Sequence, residues 1–172
     1  MPNSTEQSPP AVLLPVGIWR IDPAHSTVGF VVREMTHLIV SVHGRFADFD
    51  GTIEVTSTGA QARGAVRVAS ITTDHRQRDQ DLRSPQFLDA AGSPLIRFES
   101  DAVELIGDHA LRIAGRLTFK GTQSDIELDG EVLGTGTDHS NNERLAIAAE
   151  GDLPFGPMQV KLVLDVSAIK TS

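Results

Sequence analysis

Cysteine and tyrosine are absent from the 172-residue sequence, and tryptophan occurs once, at Trp19. Without thiols the chain has no disulfide, no thiolate metal site and no cysteine nucleophile, and the redox state of its compartment stays open. Long apolar runs are missing too: no stretch approaches the roughly 20 residues of a spanning helix. Basic residues are outnumbered, 15 Lys and Arg against 23 Asp and Glu, for a formal charge of −8. Nucleic-acid binding draws most of its affinity from neutralised phosphates, so this balance argues against such a partner. The start of the chain lacks the basic residues and the ~7–15-residue apolar run of a secretory signal; Ala11–Val16 is short and broken by Pro15. Residues 1–16 are expected to form a flexible tail on a cytoplasmic protein, with a periplasmic or extracellular form as the alternative.

From residue 17 onward the dominant signal is period two, the mark of strands with one buried face. In Arg112–Lys120 the residues Ile113, Gly115, Leu117 and Phe119 share one face. In Asp125–Val132 the face is Ile126, Leu128, Gly130 and Val132, and near the end it is Val160, Leu162, Leu164 and Val166. Noisier alternation covers Ile18–Asp22, Ser26–Arg33, Val40–Phe46, Gly51–Val55, Ala62–Ala69, Ile96–Leu105 and Leu145–Gly151. Turn chemistry separates these runs at Asp22-Pro23, Asp50-Gly51, Gly107-Asp108, Lys120-Gly121 and residues 136–142. Short strands at this spacing predict an all-β sandwich or barrel. Thr73–Phe87 breaks the rhythm: it is charged and does not alternate. Asp74 as cap and Ser84-Pro85 as stop predict one short helix over about 75–83. Inward candidates are often small (Gly29, Gly64, Gly115, Gly130, Ala149, Gly151), and together they point mildly to a hollow interior.

A search for chemistry finds no catalytic centre. The six histidines show no zinc spacing, and no GxSxG occurs. Asp22, His25 and Ser26 supply triad residue types, but across a Pro-containing turn they cannot readily flank one imidazole. Asp22 and Ser26 are read as bonding local backbone, and His25 as opening the next strand. His75, Arg78 and Asp79 are candidates for a polar mouth, with Arg78 and Asp79 the better placed for a structural pairing. Trp19, at a strand start, reads as a plug at a closed barrel end.

Read in order, Gly17–Phe30, Gly44–Ile53, Arg78–Asp89 with Pro94–Ser100, Gly115–Thr122 and Val160–Lys170 resemble the YceI-like family of polyisoprenoid-binding, lipocalin-like bacterial proteins. The resemblance covers 17–170 as one domain. It implies an eight-stranded antiparallel barrel with a helix near Arg78–Ser84, an apolar tunnel for a long isoprenoid or other amphiphile, and no catalytic centre. The sequence departs from the family pattern at Glu34, where relatives often carry His, at Phe87-Leu88-Asp89, and at Asp152–Gly156 before Pro157-Met158. The function implied is a carrier or store for an isoprenoid quinone or prenyl lipid, needing no cofactor and no metal, with no stable membrane insertion. The wall candidates are Val28, Phe30, Val32, Val42, Phe46, Phe98, Ile113, Leu117, Phe119, Leu128, Ile147 and Leu162. The same alternation also suits a packed barrel serving as a protein-interaction or stress-response module, including a homodimer through exposed strand faces. A hydrolase using His75 and Asp79 ranks third.

Overall fold

Strong alternation forces each strand to choose a wet and a dry face, and a sheet with one dry face must close on itself or find a second layer. Here it closes. The computed structural model describes residues 14–34, 40–153 and 158–172. The strands are β1 (Gly17–Ile21), β2 (Thr27–Glu34), β3 (Val40–Phe46), β4 (Phe49–Val55), β5 (Ala60–Arg67), β6 (Ile71–Thr72), β7 (Leu95–Ile106), β8 (Ala110–Phe119), β9 (Thr122–Thr137), β10 (Glu143–Leu153) and β11 (Gln159–Lys170). One α-helix, α1 (Arg76–Arg83), follows β6.

Eleven strand segments make eight staves, because three staves are bent. β1 and β2 occupy successive lengths of one edge of β11, with Trp19 opposite Lys170 and Phe30 opposite Leu162. Between them Pro23–His25 forms a 3₁₀ turn. β3 with β4, and β5 with β6, are bent in the same way: β4 pairs β1 and β5, while β3 pairs β2 and β6. The remaining staves follow one another antiparallel from β7 to β11, and the β1–β11 pairing closes the ring. Such a closed ring has no free sheet edge along most of its length.

Two turn expectations need correction. Asp50-Gly51 lies within β4, where Gly51 faces Gly64 in the ladder, and the bend is at residues 47–48 instead. Asp74 does not cap the helix: its φ is 58°, and the cap is His75, whose Nδ1 accepts from the Arg78 amide at 3.2 Å. Lys120-Gly121 is a hairpin turn as read, with φ of 51° and 72° matching the left-handed pair that a right-twisted hairpin demands.

The two ends of the barrel differ. At one end Trp19, Val55, Leu111, Val132, Leu145 and Ala168 pack into a plug, with Leu145 and Ala168 fully buried. Trp19 donates its indole N–H to the Pro15 carbonyl at 2.9 Å, and Leu14 packs against the same cluster. The rest of the expected tail, residues 1–13, lies outside the described residues. At the other end Phe30, Phe46, Ile71 and Val160 gather with Leu82 of α1 and Leu88 of the following loop. No helix among the described residues is long and apolar enough to cross a membrane.

Candidate ligand cavity

Inward positions near the middle of the barrel are large and apolar yet only half-buried: Val28, Val32, Phe98, Leu117, Leu162 and Leu164. Since these side chains share the inward face with buried neighbours, their remaining exposure is exposure to internal space. That space is a cavity of about 260 Å³. A single water needs only about 10–15 Å³ on the same footing, so the barrel is hollow. β5 makes room by presenting Ala62, Gly64 and Val66 to the interior. Leu82 and Leu88 line the cavity from above, and Met158, 44% exposed, carries it to the surface beside the start of β11. None of the plug residues Trp19, Leu111, Val132 and Leu145 reaches it.

Ten of the twelve wall candidates border this cavity: Val28, Phe30, Val32, Phe46, Phe98, Ile113, Leu117, Leu128, Ile147 and Leu162. Val42 and Phe119 do not. Val42 pairs with the cavity-lining Val32 without itself reaching the space, and Phe119, opposite Thr122, is the last residue of β8. Five further residues line the cavity that are absent from the wall candidates: Val160, Leu164 and Val166, which alternation places on the face of Leu162, and Phe49 and Ile53 of β4. Leu82 and Leu88 carry no period-two signal, because they come from the helix and loop. Of the departures from the family pattern, Glu34 ends β2, while residues 154–157 lie outside the described residues.

His75, Arg78 and Asp79 do not line the cavity; they fasten the helix. Asp79 is buried and accepts from the Thr73 amide (2.8 Å), the Thr73 hydroxyl (2.5 Å) and the Thr72 hydroxyl (3.3 Å). Burial pushes its carboxyl up, but these bonds and the nearby Arg83 outweigh burial and hold it below the ordinary carboxylate value. Arg78 approaches the same residue from the side, donating from Nε to Thr73 Oγ1 (2.7 Å) and from Nη2 to Thr73 O (2.9 Å). The two residues therefore meet through Thr73 rather than pairing directly.

The Asp22–Ser26 segment lies on the outer wall. His25 Nδ1 is 2.7 Å from Asp22 Oδ2, and His25 belongs to the 3₁₀ turn rather than to β2. Ser26 does not bond locally: its hydroxyl donates to Ser167 O (3.2 Å) and accepts from Ser167 N (3.0 Å), far along the chain. Asp22 also receives Arg144 Nη1 at 3.0 Å, and Arg144 Nε reaches Asp138 at 2.6 Å. Arg144 holds the Asp138 carboxyl well below the ordinary range, and the His25 bond does the same for Asp22 against some burial. This network clamps the bend between β1 and β2 to the β9–β10 turn. Gly29, expected inward, alternates out of phase with the cavity-lining Val28 and Phe30 and faces outward. Among the described residues no three His, Asp or Glu side chains gather in a metal-binding arrangement.

A family model for the YceI-like domain matches residues 19–170. Protein YceI of Salmonella arizonae is 31% identical over 161 residues, covering 85% of this chain and 82% of its own. The protein of the same name from Salmonella newport is 29% identical over 160 residues with the same coverage. Among solved structures, BcnA of Burkholderia cenocepacia superposes with a TM-score of 0.73 at 18% identity, over 86% of this chain and 98% of its own. A polyisoprenoid binding domain from Saccharophagus degradans superposes with a TM-score of 0.61 at 15% identity, over 91% and 99%. With eight staves, one helix over the open end and a family match spanning nearly the whole barrel, the chain belongs to the YceI-like family.

Proposed function

We propose that the protein is a non-catalytic carrier that takes the hydrocarbon part of a polyisoprenoid-like amphiphile into the barrel. The cavity carries this reading: its lining is almost wholly Val, Leu, Ile, Phe, Ala and Met, with Asp50, Thr52 and Arg63 touching it from β4 and β5, and it is open at one end and stopped at the other by the Trp19 plug. An isolated polar group would lose its hydration there without compensation, while each buried CH₂ contributes about 0.8 kcal/mol. The bore therefore suits a tail, with the head left at the open end. Similarity to a polyisoprenoid binding domain supports the same ligand class. Absence of catalysis is part of the proposal, supported by the Ser26 hydroxyl being engaged with Ser167 backbone instead of with His25. Native mass spectrometry of freshly purified protein, followed by organic extraction, tests the reading. A co-purifying lipid of discrete mass is expected; a ligand-free protein whose melting temperature ignores prenyl alcohols would remove the proposal.

A further inference from the structure

Four large side chains that line the bore each lie over a glycine of an adjacent strand. A Cβ added at Gly44 would stand 2.2 Å from Phe30 Cζ, and one at Gly51 2.5 Å from Ile21 Cδ1. At Gly115 it would stand 2.6 Å from Phe98 Cε2, and at Gly151 2.7 Å from Leu128 Cδ2. Register explains the contacts. Phe30 faces Gly44 directly, Ile21 and Gly51 follow the Arg20–Thr52 pair, and Phe98 lies diagonal to Gly115, the partner of Ser100. Leu128 and Gly151 follow the Asp129–Glu150 pair. None of these glycines has a positive φ, so the backbone conformation does not demand glycine at any of them. What demands it is close approach: of the Phe30 ring alone at Gly44, of Ile21 with the Arg63 carbonyl at 3.1 Å behind it at Gly51, and of a side chain together with a carbonyl oxygen at Gly115 and Gly151.

We propose that Gly44, Gly51, Gly115 and Gly151 set the calibre of the bore and are its specificity-determining positions. Each glycine is a seat that lets a ring or branched chain lie flat against the wall instead of standing into the lumen. The glycines thus do not themselves make up the empty space; they keep it open by absorbing their neighbours. The ligand class that follows is a chain too thick for a narrowed bore, such as a methyl-branched hydrocarbon, and this rests on the carrier reading above. At Gly115 and Gly151 a Cβ would also meet carbonyl oxygens, of Glu99 at 2.6 Å and Glu127 in the adjacent strand, so substitution there strains the wall itself. At Gly44 the three nearest atoms all belong to the Phe30 ring, which can swing into the lumen. Gly44 is the position at which the idea can be separated from folding.

The test compares farnesol, a methyl-branched chain, with dodecanol, its straight counterpart, in competition against a solvatochromic probe on delipidated protein. Gly44→Ala is expected to lower farnesol affinity relative to dodecanol by roughly tenfold or more, the scale of one methylene in a hydrophobic pocket. Adding Phe30→Leu should restore the ratio. A folded Gly44→Ala protein whose ratio stays within about twofold of the parent overturns the proposal. Should that variant fail to fold, Gly51→Ala with Ile21→Val as its rescue is judged by the same ratio. A crystal structure of the variant gives a readout independent of ligand: the Phe30 ring is expected in the lumen, and a ring still on the wall beside a shifted backbone overturns the seat. If the parent protein binds neither alcohol, the carrier reading fails, while the ring position still decides the calibre.

Discussion

Leu145 and Leu162 sit on the inward faces of neighbouring strands, yet one is fully buried in the plug and the other borders the cavity. Truncation should therefore cost them unequal amounts. Leu145→Ala leaves a new void in close packing and is expected to lower stability by about 2–5 kcal/mol. Leu162→Ala gives up contacts on one side only and should cost about 1 kcal/mol. Urea midpoints measure both; equal losses would mean that the bore is filled in solution. On the outer wall, Asp138 lies under the Arg144 guanidinium and its carboxyl is depressed. A depressed folded-state pKa means that its stabilisation is complete above the unfolded value near 4 and fades as pH falls below it. Asp138→Asn should thus lower the melting temperature at pH 7, and the gap to the parent should close as the pH is taken below about 4. A gap independent of pH would assign the effect to the amide hydrogen bonds of Ser140 and Asn142 instead.

At the scale of elements, α1 is the one helix laid against the ladder, and the Asp79–Thr73 bonds tie it to the end of β6. Asp79→Asn replaces an acceptor-only carboxylate with a group that cannot match three donors. The expected cost is about 1–3 kcal/mol, with faster hydrogen exchange over residues 76–90 and little change in β8–β11. Uniform acceleration through the strands would show that the tie is part of global folding rather than a local latch. The same elements show how far the sequence could be read. β7 to β11 were legible because each has one wet and one dry face, so apolar residues recur every second position. α1 was legible through the loss of that rhythm. β6 was not, since two residues carry no period, and neither was the bend at residues 47–48, where Asp50-Gly51 looked like a turn but serves as a seat for Ile21. Ser26 was misread because its partner, Ser167, is distant in sequence and close only after β2 docks on β11.

For the whole molecule the open question posed by the sequence was whether the barrel is hollow or filled, and alternation cannot answer it. A period-two apolar face looks the same in both cases. The answer lies in how side chains pack in three dimensions: tightly around Trp19, and flat over glycines where the cavity runs. A protein built this way gives up core contacts along its hollow section and should recover stability when an apolar chain fills the space. Binding to the folded state alone stabilises by RT ln(1 + [L]/Kd), about 2.7 kcal/mol at a hundredfold excess over Kd. For a domain of this size each kcal/mol moves the melting temperature by about 2–4 °C, so saturation with a prenyl alcohol should raise it by roughly 5–11 °C. The increment should be large for delipidated protein and small for protein as purified, if a chain already occupies the bore. Differential scanning calorimetry of the two preparations, with and without farnesol, measures it. A delipidated preparation that melts at the same temperature with and without a saturating chain would show that the cavity closes on itself in solution.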